Sequence, residues 1–183
     1  GDSPYQGPSA FAGQPLIISP DLLLKQNLLT EADLADRPQW DPRKVDYGPA
    51  IQYKMGLLRK AWQAFLHTPD KALVEQYEAF CKREADWLDD YALFMACKDA
   101  HGGQRWLDWE PELVKPTAKV KQAWREKLSD DIGFYSFLQF IFEVQWEALR
   151  SYAHQKDIEI IGDIPIFVSL DSADVWDIAD DLD

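Results

Sequence analysis

The chain has 183 residues, 46% of them hydrophobic and 28% charged, with a formal net charge of -13 and a pI near 4.6. That balance excludes a disordered chain and suits one medium domain or part of a larger one. A polyanion repels phosphate backbones and anionic lipid, which argues against nucleic acid and membrane as partners, while a neutral substrate is not repelled.

Residues 1–20, GDSPYQGPSAFAGQPLIISP, are rich in Gly, Pro and Ser and read as an ordered loop with a short strand at Leu16–Ile18. Tyr5, Phe11 and the Leu16-Ile17-Ile18 run are too apolar for a free tail. Asp21 to Asn27 predicts a short helix, and Thr30-Glu31-Ala32-Asp33 resembles a capping box that opens another. Pro38, Pro42 and Pro49 keep residues 36–49 as loop. Ile51, Met55, Leu58, Trp62 and Phe65 recur at helical steps and predict a helix over about 50–66.

Thr68 as N-cap and Pro69 at the first helical position open a long helix that runs to about Lys98. Its second half is apolar on most sides and is expected to be buried, with Gly102-Gly103 ending it. Cys81 and Cys97 fall on that one helix, about 24 Å apart by helical rise, too far for a disulfide. They read as reduced, buried thiols of a cytoplasmic protein. His67, His101 and His154 are scattered without metal-ligand spacing. No segment is long and apolar enough to span a bilayer, and no signal peptide is visible. The chain begins without Met, so residues preceding Gly1 are expected.

Residues 104–116 read as loop. From about Thr117 to His154 the pattern is helical again, with Gly133 as a possible break. Phe134, Phe137, Leu138, Ile141, Phe142, Gln145, Leu149 and Tyr152 form one stripe, read as core. The β-branched run Ile158–Asp163 predicts a strand, which Pro165-Ile166-Phe167-Val168 continues as loop or a further extended piece. Either this is a mostly helical domain or it is part of a larger α/β protein. The adjacent carboxylates Asp89-Asp90 point different ways on a helix and cannot form a catalytic dyad, so they read as solvated or capping. Asp171-Ser172-Ala173-Asp174 reads as a helix N-terminus, where acids are favoured.

Three segments carry a family likeness: Gly1-Asp2-Ser3-Pro4-Tyr5-Gln6 with Ser9-Ala10-Phe11-Ala12-Gly13; Trp87-Leu88-Asp89-Asp90-Tyr91-Ala92-Leu93-Phe94-Met95-Ala96 with His101-Gly102-Gly103; and Gln145-Trp146 through Ile161-Gly162-Asp163-Ile164-Pro165-Ile166-Phe167-Val168 to Asp174-Val175-Trp176. In order and spacing they resemble the amylomaltases, 4-α-glucanotransferases of the α-amylase clan, across essentially the whole chain. The resemblance implies an α/β fold, with this chain the N-terminal portion of a (β/α)8 TIM barrel carrying large helical insertions and mostly helical itself. Residues 1–20 would be a barrel-associated substrate loop and short strand, 21–116 a helical insertion subdomain, and 117–183 a barrel helix and strand with the following active-site loop.

It also implies transfer of α-1,4-glucan segments between malto-oligosaccharides by a retaining mechanism, without a cofactor. Such chemistry needs two close carboxyl groups, one a nucleophile and one an acid/base. The family's catalytic carboxylates lie on later strands, so they are expected beyond Asp183 and no residue of this chain matches them. Carried over residue by residue, Ser3 and Tyr5 border the glucan near the scissile bond. Asp163 matches the aspartate at the end of a barrel strand, on the active-site face. As structural residues they would instead be a turn former, a packing ring and a turn aspartate. Where relatives can carry a Tyr of a second, remote glucan groove, this chain has Ile51. Trp106 and Trp109 would stack on sugars if exposed and staple their loop if buried; burial is the expectation. The alternative to an enzyme fragment is a non-catalytic helical module that binds glucan or a partner.

Overall fold

A computed structural model describes residues 7–67, 70–163 and 167–178. Its first helices are set by local capping. Ser19 accepts the Leu22 N–H at the start of α1 (Pro20–Lys25), and Pro20 takes the first position, where no N–H is needed. The capping box of α2 (Glu31–Leu34) is complete: the Thr30 hydroxyl accepts the Asp33 N–H, and the Asp33 carboxylate accepts the Thr30 N–H at 2.9 Å. Lys60 above all, and then Thr30, hold the Asp33 pKa down at about 2. A depressed carboxylate contributes stability above its ordinary value, and that contribution fades as pH falls from 3.8 toward 2. Thr30→Ala is expected to cost about 1 kcal/mol, read from the urea midpoint at neutral pH.

The hydrophobic core is built on two helices. α5 (Ala85–Ala100) buries Leu88, Tyr91, Ala92, Leu93, Phe94, Ala96 and Cys97, most of its circumference. It packs most extensively on α8 (Ser129–His154), in which every residue from Phe134 to Ile141 is buried. α3 (Tyr47–His67) and α4 (Lys71–Arg83) cover another side of α8. Phe137 of α8 lies 5.4 Å from the Trp62 ring and 5.1 Å from Phe65, and Tyr77 of α4 meets Phe140 at 5.6 Å. α6 (Pro111–Val114), α7 (Ala118–Lys127) and α9 (Ala173–Asp177) close the far side. There the Trp176 indole, 1% exposed, donates to the Leu113 carbonyl at 2.8 Å.

Several elements differ from expectation. Leu16–Ile18 is no strand: Pro15–Ile17 is a 3-10 turn, with Pro15 fixing φ at its start and Gln14 accepting the Leu16 N–H. Thr68 and Pro69 lie outside the described residues; Asp70 caps α4, accepting the Ala72 N–H at 2.8 Å. The single long helix is two, divided at Glu84, whose carboxylate takes the Trp87 indole and the Arg83 guanidinium, each at 2.7 Å. Cys81 and Cys97 therefore sit on separate helices; both are free, Cys97 buried and Cys81 half-buried. Burial pushes the Cys97 thiol up to about 12. The expected loop 104–116 contains a 3-10 turn (Trp106–Asp108) and α6. The break between the last two long helices falls at Leu128 rather than Gly133. Gly133 lies within α8, where a Cβ would come within 2.8 Å of the Trp62 ring. Leu149 and Tyr152, at the end of the stripe, are exposed rather than core.

Ile158–Asp163 is not a strand either, and no strand occurs among the described residues. The Ile158 N–H is already spent on the Ala153 carbonyl, 3.0 Å away, where Asp157 turns α8 off at positive φ. The residues beyond it form no regular element and are exposed, Ile161 at 96%. A β-branched run becomes a strand only beside another strand. The helical part of the expected α/β fold is present; the barrel itself is not seen among the described residues.

Candidate functional site

Outside the 3-10 turn, residues 7–19 have little regular structure of their own, so their backbone groups need partners from elsewhere. Side chains of the helical body supply them. The Gln139 amide oxygen accepts the Gly13 N–H at 2.8 Å, and its NH2 donates to the Gly13 carbonyl at 3.0 Å and to the Tyr91 hydroxyl at 3.2 Å. Gln145 treats Ser19 the same way, accepting its N–H at 2.7 Å and donating to its carbonyl at 3.3 Å. Lys54 donates to the Leu16 and Ile18 carbonyls at 2.8 and 2.7 Å. Gly13 is required for the first clamp, since a Cβ there would lie 2.3 Å from the Phe142 ring.

The start of the segment meets α9. Ala173 N–H donates to the Pro8 carbonyl at 2.8 Å, and Asp174 accepts the Ala10 N–H at 2.9 Å and the Ser9 hydroxyl at 3.4 Å. The loop before α9 is held in turn by Asp171, which takes Lys98 Nζ at 2.6 Å. The Trp106 indole donates to the Leu170 carbonyl at 2.7 Å, and that of Trp109 to the Gln104 carbonyl at 3.2 Å. Both tryptophans are buried, as the staple reading expects.

Between residues 7–16 and helices α3, α5 and α8 lies a cleft of about 900 Å3. Ile51 and Met55 line it, and Arg59, Asp99 and Tyr135 form its polar part. The Tyr135 hydroxyl donates to Asp99 at 2.5 Å. Arg59 pairs with Asp131 at 2.6 Å and lies 3.7 Å above the Phe134 ring. Burial, and next the Asp99 carboxylate, push the Tyr135 phenol up, so it stays a hydrogen-bond donor. With its carboxylate already engaged, this cluster is suited to binding polar groups rather than to acid/base chemistry. No group of three or more potential metal ligands converges among the described residues, and no helix among them is long and apolar enough to cross a membrane.

Of the expected site residues, Ser3 and Tyr5 lie outside the described residues. Asp163 is exposed, at the end of the irregular stretch that follows α8. The described contacts between the two ends of the chain run through Pro8–Ala10 and Ala173–Asp174. Asp89 is exposed as expected, whereas Asp90 is half-buried in ion pairs with Arg125 at 3.0 Å and Lys121 at 3.4 Å, which corrects its solvated reading. Gln139, Gln145 and Asp174 were not legible as site builders. The available signal was a glutamine inside the most apolar stretch of α8, Phe137-Leu138-Gln139-Phe140-Ile141, where a polar side chain needs a partner.

Comparison with known proteins gives a consistent result. A family model described as 4-alpha-glucanotransferase matches residues 1–182. The 4-alpha-glucanotransferase of Thermus thermophilus is 42% identical over 176 residues, covering 96% of this chain and 34% of that protein. That of Clostridium butyricum is 40% identical over 177 residues, covering 96% and 36%. Among solved structures, an amylomaltase from Streptococcus agalactiae in complex with acarbose superposes with a TM-score of 0.90 at 34% identity, over 98% of this chain and 36% of that one. The chain thus spans about a third of the length of the relatives it matches. With the family model covering residues 1–182, the chain belongs to the 4-alpha-glucanotransferase family.

Proposed function

We propose that this chain is the N-terminal portion of a 4-α-glucanotransferase that moves α-1,4-glucan segments between malto-oligosaccharides. The observation that carries the reading is the family match over residues 1–182. The acarbose bound to the structural neighbour supports an oligosaccharide substrate. In this reading the reaction is a retaining double displacement and requires no cofactor. Its carboxylates come from the part of the parent that follows this chain, while Ser3, Tyr5 and Asp163 border the glucan. Free Cys81 and Cys97 favour a reducing compartment, the cytoplasm.

The test is disproportionation of maltotriose. The isolated 183-residue chain is expected to release no glucose and form no longer maltodextrin above a buffer control, whereas the full-length parent does both. Turnover by the isolated chain would place the catalytic carboxylates within it. An inactive parent that still binds maltodextrin would replace the transferase reading with that of a glucan-binding module.

A further inference from the structure

Three parts of the chain meet around a smaller hollow, of about 420 Å3, that shares no lining residue with the cleft of about 900 Å3. The segment between α2 and α3 supplies Arg37 and Trp40, α1 supplies Pro20 and Asp21, and α3 supplies Tyr53 and Lys54. The Arg37 guanidinium donates to the Asp21 carboxylate at 3.0 Å, and the Trp40 indole meets the Tyr53 ring edge-on at 6.2 Å. Those two contacts set an otherwise irregular segment on the helical body, so the hollow is preformed. Trp40 nevertheless stays 41% exposed, and the Arg37 and Asp21 side chains stay 47% and 62% exposed. A volume of a few hundred Å3, aromatic and apolar walls and one polar pair are the proportions of a small-molecule site.

We propose that this hollow is a saccharide-binding site that takes glucosyl units of an α-1,4-glucan. The choice of glucan rests on the function proposed above; the choice of a neutral, hydroxyl-rich ligand rests on the hollow itself. Lys54 is committed to the Leu16 and Ile18 carbonyls at 2.8 and 2.7 Å, and Arg37 is offset by Asp21, so neither cation is left for an anionic ligand. The net charge of -13 repels one as well. An apolar ligand would take the exposed Asp21–Arg37 pair out of water without replacing its hydrogen bonds. A sugar hydroxyl both donates and accepts, so it suits a carboxylate oxygen and a guanidinium N–H together, while the C–H face of the ring covers the Trp40 indole. A single exposed tryptophan is ordinary protein surface. Its place in one hollow with an exposed acid–base pair is what points to a sugar.

The full-length parent labelled with 5-fluorotryptophan tests this, its Trp40 fluorine resonance identified by its loss in Trp40→Phe. The probe is β-cyclodextrin, a closed ring of α-1,4-linked glucose. Titration is expected to move the Trp40 resonance saturably. Arg37→Ala is expected to weaken that binding about tenfold while moving the melting temperature by less than about 3 °C. A Trp40 resonance that stays still, or one that follows the probe as well in Arg37→Ala as in wild type, overturns the site. A loss of binding matched by a fall in folded fraction makes Arg37 a structural residue and overturns its role in recognition. An equal response to cellopentaose, a β-1,4-linked chain, overturns the assignment of the ligand as an α-1,4-glucan. Transfer from maltotriose, measured on the same wild-type preparation, separates the two readings. A parent that transfers glucan while the Trp40 resonance stays still brings down this site alone, whereas one that transfers nothing while the resonance moves brings down the functional reading and leaves a saccharide site.

Discussion

Gln139→Leu is expected to lower the free energy of unfolding by about 3 kcal/mol, a shift of roughly 6–12 °C in melting temperature for a domain of this size. Leucine nearly matches glutamine in volume, so no large cavity forms and the loss comes from hydrogen bonding. The substitution strips the Gly13 N–H, the Gly13 carbonyl and the Tyr91 hydroxyl of a partner at once. Tyr91 is buried and the Gly13 contacts are half-buried, so water replaces the lost partners poorly. Each stranded buried group costs about 1–3 kcal/mol, more than a typical hydrogen bond contributes when both partners are removed together. Gln139→Glu keeps the acceptor for the Gly13 N–H but buries a carboxylate against the Gly13 carbonyl, so it should be destabilised at neutral pH and recover as the carboxyl is protonated at lower pH. Guanidinium titration followed by tryptophan fluorescence measures all three. Equal midpoints for wild type and Gln139→Leu would show that the residues 13–19 segment is held by packing, and that the clamp is incidental.

The contrast between what could and could not be read in the sequence follows the range of the interactions. The Thr30 capping box, the burial of α5 around Tyr91–Ala96 and the buried stripe of Phe134, Phe137, Leu138 and Ile141 depend on neighbours within a few residues, and all were legible. Glu84 carries no break signal in the sequence, because glutamate is a good helix former; the division accompanies its bonds to the Trp87 indole and to Arg83. Ile158–Ile161 has strand propensity without a ladder, since pairing depends on a partner strand that propensity cannot supply. Leu16–Ile18, the other expected strand, is a turn, with Pro15 at its start and two Lys54 bonds to its carbonyls. The clamps from Gln139, Gln145 and Asp174 span 126 to 165 residues of sequence, beyond any periodicity argument. Ser3, Tyr5 and Asp163 entered through family resemblance, not through periodicity.

Asp163→Asn in the full-length parent is expected to cut kcat by one to two decades and leave the fold nearly intact. Under the proposed function, Asp163 orients a glucosyl hydroxyl or a neighbouring polar group at the mouth of the site, where barrel enzymes place residues that meet substrate. The glucosyl transition state carries positive oxocarbenium character, so a nearby carboxylate helps hold the field around it. A charged hydrogen bond contributes about 1.5–3 kcal/mol, which as transition-state stabilisation is about one to two decades in rate. Asparagine keeps the size and one carbonyl acceptor, and replaces the charge and the second acceptor oxygen with a donating NH2. The position is exposed, and substitutions on an exposed surface usually shift stability by no more than about 0.5 kcal/mol. Rate and melting temperature measured on one preparation separate the two roles. A tenfold or larger fall in kcat at an unchanged melting temperature assigns Asp163 to the glucan site, whereas a wild-type rate per folded molecule with a lowered melting temperature makes it a turn residue.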